Sequence, residues 1–121
     1  MEWENLQAAA LQVVEDTLQQ LPPPLRERAQ LLPVIFEALP NDGLQADGVE
    51  VDTLGLFCGP KFSDECDVPM PPQIILFLEN LWDVAEGKES DYRKEVRLTY
   101  LHELGHYLGL DEDDLTARGL D

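Results

Sequence analysis

The 121-residue chain is short of positive charge: 8 Lys+Arg stand against 25 Asp+Glu, a formal net charge of −17. A surface this negative repels phosphate, so nucleic acid and anionic membranes are excluded as general partners. Aromatics make up 7% of the residues, and there are only 2 Cys and 2 His. Cys58 and Cys66 lie eight apart, which does not fit the short Cys-x₂₋₄-Cys spacing of structural zinc sites. No secretion signal is expected, because Met1-Glu2-Trp3-Glu4-Asn5 is acidic where such a signal is basic. Two free thiols are therefore expected rather than a disulfide. No apolar run approaches the roughly 18 residues of a membrane helix. The expected location is the cytoplasm.

What is present suffices for a fold. Hydrophobic residues are 44% of the chain, close to ordinary globular composition. The length fits a single domain over residues 1–121. Residues 2–21 carry an apolar stripe at helical spacing through Trp3, Leu6, Ala10, Val13, Val14, Thr17 and Leu21. Pro22-Pro23-Pro24 ends that helix, and Leu25–Leu32 is expected to add a short helical turn just after the prolines. Strands are predicted at Pro33–Ala38, Leu54–Pro60 and Ile74–Leu78. Pro40-Asn41-Asp42-Gly43 is predicted as a turn, Leu44–Thr53 and Lys61–Pro72 as loops, and Glu79–Glu89 as part helix, part loop. Ser90 is the expected N-cap of a long helix, Asp91–Leu108, with Gly109 as its terminator and a further helical turn at Asp113–Arg118. The order indicates an α+β fold with helices packed on a small sheet. Trp3, Trp82, Phe57 and Phe77 are expected in the core.

Both histidines lie in one pattern, His102-Glu103-Leu104-Gly105-His106. Residues i and i+4 share a helix face, so His102 and His106 can turn their imidazoles to one ion. Glu103, next to His102, can reach a water bound to that ion. This is the arrangement of a zinc site whose water is activated by a carboxylate base. With so few histidines, a chance match is on the order of one in several hundred. Leu101, Leu104 and Leu108 give the same helix an apolar face. Zinc needs a third protein ligand, and the candidates are Asp111, Glu112, Asp113, Asp114 and Asp121. If Gly109 turns the chain back under the site, Glu112 completes His-x₃-His-x₅-Glu. A run of carboxylates past a helix C-terminus opposes the macrodipole, a conflict that a cation would relieve. Asp111 or Asp113 can cap a short final helix, and the two readings are compatible, with Glu112 on the metal and a neighbouring Asp as cap. Tyr100 and Tyr107 read as packing residues.

The segment Tyr100-Leu101-His102-Glu103-Leu104-Gly105-His106-Tyr107-Leu108-Gly109, with the acidic residues and Leu115 after it, resembles the small bacterial zincin-like metallopeptidases. Those carry His-Glu-x-x-His-x-x-Gly-x-x-Asp near the C-terminus. Leu54-Gly55-Leu56-Phe57-x-Gly59-Pro60, Ile74-x-Leu76-Phe77 and Glu95-Val96-Arg97-x-Thr99 are similar to that family's upstream blocks. The resemblance implies a minimal zincin core, with an active-site helix on a small mixed sheet. It implies His102 and His106 as zinc ligands and Glu103 as general base. The family's third ligand is typically Asp, and Glu112 stands at that position here. The methionine turn of larger metzincins is absent, since Met1 and Met70 both precede the motif. The C-terminal subdomain that walls the cleft of larger zincins is not expected either. The expected function is a Zn²⁺-dependent metallohydrolase acting on peptides or proteins. Its alternative is a metal-binding interaction module that keeps the site but turns over little or no peptide. An acidic rim around the site favours basic or neutral peptides, and the exposed edge at Leu54–Cys58 is a candidate for strand addition. Oligomeric state is not legible.

Overall fold

A computed structural model of the chain describes residues 1–58 and 72–109. Helix α1, Trp3–Gln20, is followed by α2, Pro23–Ala29, and strand β1, Val34–Glu37. Then come α3, Asp42–Ala46, and the strands β2, Gly55–Cys58, and β3, Gln73–Phe77. Helices α4, Leu78–Val84, and α5, Glu89–Leu108, complete the described chain. The architecture is α+β with a three-stranded mixed sheet, as expected of a minimal zincin core.

β3 is the central strand, parallel to β1 and antiparallel to β2. Its Ile74-Ile75-Leu76-Phe77 run is buried throughout, because elements cover both faces of a central strand. The pleat sorts its neighbours. Phe57, Ile74 and Leu76 join the main core with α1, α4 and α5, whereas Leu56, Cys58, Ile75 and Phe77 form a second cluster on the opposite face, under Leu44 and Val49. Register couples the two, with Phe57 opposite Ile74 and Leu56 opposite Ile75.

Several boundaries differ from the sequence expectation. α2 begins within the prolines, at Pro23, since proline's fixed φ and missing N–H are tolerated in a first helical turn. The segment expected as turn and loop holds α3, where the Asn41 side chain accepts a hydrogen bond from Leu44 N–H at 2.8 Å and so caps a short helix. Leu78, expected to end β3, instead opens α4. α5 starts at Glu89 with Lys88 at its N-cap, so Ser90 lies inside the helix and caps nothing. Gly109 does end α5, in the left-handed conformation at φ 74°. Phe57 and Phe77 are fully buried. Trp82 is half-buried, and Trp3 is exposed at the start of α1, contrary to its expected core position. Cys58 is buried and takes part in no disulfide among the described residues. Cys66 and the expected turn at Asp113–Arg118 lie outside the described residues. Among the described residues, no helix is long and apolar enough to cross a membrane.

Candidate metal centre

The site is built on the last two turns of α5. Val96, Tyr100, Leu101, Leu104 and Leu108 anchor this helix in the main core. Each such burial stabilises by about 1.5–3 kcal/mol, which fixes the helix's rotation about its own axis. With that rotation set, Thr99, His102, Glu103 and His106 fall on one remaining face, at i, i+3, i+4 and i+7. His102 is exposed, His106 is half-buried and Glu103 is buried.

His102 and His106 stand one turn apart with ring centroids 4.7 Å from each other. The Glu103 carboxylate reaches both: Oε1 lies 3.4 Å from His106 Nδ1, and Oε2 lies 4.0 Å from His102 Nε2. One ligand atom from each of the three lies within 4.8 Å of the others. The sequence motif therefore becomes a convergent group. A carboxylate in this position is costly to bury alone, and the two imidazoles face it. Two imidazole nitrogens on one helix face are donors that suit zinc and its first-row neighbours, and the carboxylate beside them is within reach of a water on such an ion, so the residues fit a divalent transition metal.

A sequence reading of the site misses Gly55, which sets how closely β2 approaches α5. A Cβ there would lie 2.6 Å from Thr99 Cγ2 and 3.3 Å from both Glu103 Cγ and Leu76 Cδ2. The glycine lets the strand lie close against the stem of Glu103, in space that a larger residue would need. The available signal is an isolated glycine inside an apolar strand, which marks a close approach of another element. The pleat that turns Gly55 and Phe57 toward α5 turns Cys58 to the other face, into the cluster with Ile75 and Phe77. Cys58 is thus not placed to close the metal position. Glu112 and Asp111, the candidates for a third ligand, lie outside the described residues.

Neither tyrosine of the motif region joins the site. Tyr107 packs its ring against Phe57 at 5.8 Å. Tyr100 is buried in the main core, its hydroxyl has no hydrogen-bond partner among the described residues, and burial pushes its pKa up to about 12.

No curated protein is similar enough to be matched to the chain. The family model described as zincin-like metallopeptidase matches residues 29–120, a span that contains the sheet, α5 and the whole His-Glu-x-x-His segment. With the matched stretch covering most of the chain and its motif converging on one helix face, the chain belongs to the zincin-like metallopeptidase family.

Proposed function

We propose that this protein is a zinc-dependent peptidase. His102, His106 and Glu112 would hold Zn²⁺, and Glu103 is its general base. The family implies zinc, and the convergent donors on α5 fit it. The observation that carries the reading is the buried Glu103 carboxylate facing both imidazoles, beside the close approach of β2 at Gly55. A purely structural metal site has no use for such a base and normally closes its fourth position with protein.

Zinc, when bound, lowers the pKa of a coordinated water to about 7 and polarises the carbonyl it meets. Glu103 takes the proton of the attacking water and hands it to the amine nitrogen as the peptide bond breaks. Its burial limits the solvent that competes for that proton. The strand Gly55–Cys58 is the proposed place for an extended peptide to add along the sheet. With a chain charge of −17, basic or neutral peptides are favoured over acidic ones. The proposal takes residues 1–121 as one domain working in the cytoplasm.

The test pairs metal analysis of the purified protein with cleavage of an unstructured protein substrate by wild type and Glu103→Gln. The expected result is stoichiometric zinc in both proteins and cleavage by the wild type alone. Stoichiometric zinc without any Glu103-dependent cleavage would overturn the enzyme reading in favour of a metal-binding interaction module.

A further inference from the structure

A second feature lies away from the metal face. A groove of about 400 Å³ runs between the start of α1 and helix α4, lined by Trp3, Trp82 and Leu39, with Glu79 and Asp83 among its polar groups. Trp3 and Trp82 are the only two tryptophans of the chain. Trp3 and Leu39 are 36% and 44% exposed, and the groove brings them together with Trp82. The groove is also stiff. Trp82 packs edge-on against Tyr92 at 5.5 Å, and the Tyr92 hydroxyl donates to the Leu6 carbonyl at 2.8 Å, which ties α5 to α1. Asn80 donates to the carbonyls of Val51 and Thr53 and pins the adjoining loop.

Charge identifies the occupant. Glu79 and Asp83 are four residues apart on α4, so they share a face and repel each other. Asp83 also sits in the last turn, where the macrodipole disfavours an anion. Neither makes an ion pair among the described residues, and of the residues lining the groove only Met1, through its amino terminus, carries positive charge. A cation seated there relieves both conflicts. A guanidinium adds planar stacking on indole to its pairing with carboxylates, which an ammonium does less well.

We propose that this groove docks an arginine-bearing apolar segment of a partner protein, its guanidinium between Glu79 and Asp83 and its apolar neighbours against Trp3, Trp82 and Leu39. The inference does not rest on the peptidase reading. Tyr92 and His102 are ten residues apart on α5, about 15 Å along the axis, so the groove is separate from the metal face.

The test is tryptophan emission of the full chain during titration with acetyl-Ala-Leu-Arg-Leu-Ala-amide, and with the same peptide carrying Lys, Gln or Glu in place of Arg. A saturable change is expected with Arg, weaker binding with Lys and Gln, and none with Glu. Glu79→Gln/Asp83→Asn should weaken Arg-peptide binding about tenfold, and Glu15→Gln/Asp16→Asn, an equal loss of charge on an exposed part of α1, less than about twofold. Equal weakening by the two double variants would show diffuse attraction to an acidic surface and overturn the proposal. So would equal binding of the Glu peptide, or no emission change with the Arg peptide.

Discussion

Replacing Gly55 by alanine adds one methyl group at the tightest joint of the site. The added carbon would meet Thr99 Cγ2 at 2.6 Å, about 1 Å inside the 3.5–4.0 Å optimum for carbon contacts. It would also press on Glu103 Cγ and Leu76 Cδ2 at 3.3 Å. Thr99 is β-branched, on a helix and nearly buried, so it has few rotamers to retreat into. The strain has to appear as a shift of α5 away from β2. Overpacking of this kind costs about 1–3 kcal/mol, more than the 0.5–1 kcal/mol that alanine gains over glycine inside regular structure. For a domain of this size, Tm should fall by roughly 3–12 °C. Thr99→Ser removes the clashing methyl, so the double variant Gly55→Ala/Thr99→Ser should recover most of the loss, a coupling that thermal denaturation of all four proteins measures. The Glu103 carboxylate moves with the helix, and a displacement of about 1 Å can cost about 10²-fold in rate. Cleavage should therefore fall further than zinc affinity in the single variant. A Gly55→Ala protein as stable as wild type, or a double variant no better than the single, would refute the close-packing account.

The two buried phenols should respond to hydroxyl removal with opposite signs. Tyr92→Phe loses the 2.8 Å hydrogen bond to the Leu6 carbonyl and should cost about 1 kcal/mol, whereas Tyr100→Phe removes a buried hydroxyl with no partner among the described residues and should be neutral or stabilising by denaturant titration. The pH dependence follows from the same burial. Burial raises the pKa of both phenols, that of Tyr100 to about 12, so the folded state keeps protons that the unfolded chain releases above about pH 10. Their contribution is complete below pH 10 and is lost as pH rises toward 12, and Tyr100→Phe should flatten that alkaline slope in Tm. If zinc binds the folded site, adding it should raise the Tm of wild type, and His102→Ala or His106→Ala should abolish the rise. Glu112→Ala should lose zinc in a chelator competition while Asp111→Ala keeps it, and the reverse result would move the third ligand to Asp111.

The fold was legible wherever a local pattern coincided with a tertiary need. The stripe of α1, the apolar run of β3 and the glycine that ends α5 all encode burial or backbone conformation in their own residues. Boundaries were missed where short-range rules competed. Proline both stops α1 and opens α2, and Asn41 serves a helix cap where a turn seemed sufficient. Trp3 continued a helical stripe on paper, but its position in the first turn of α1 carries it beyond the core, into the groove with Trp82.

By itself the sequence determined the chemistry: two imidazoles and a carboxylate at His-Glu-x-x-His spacing must share one helix face, because 3.6 residues make a turn. Only the tertiary structure decided which of them is buried. Rotation of α5 about its axis is fixed by Tyr100, Leu104 and Leu108 in the core, and this sinks Glu103 while leaving His102 in solvent. The close approach of Gly55 to the Glu103 stem, the turning of Cys58 to the far face of the sheet, and the sharing of one groove by Trp3 and Trp82 join residues distant along the chain. No local periodicity encodes such meetings, since they follow from how the layers stack.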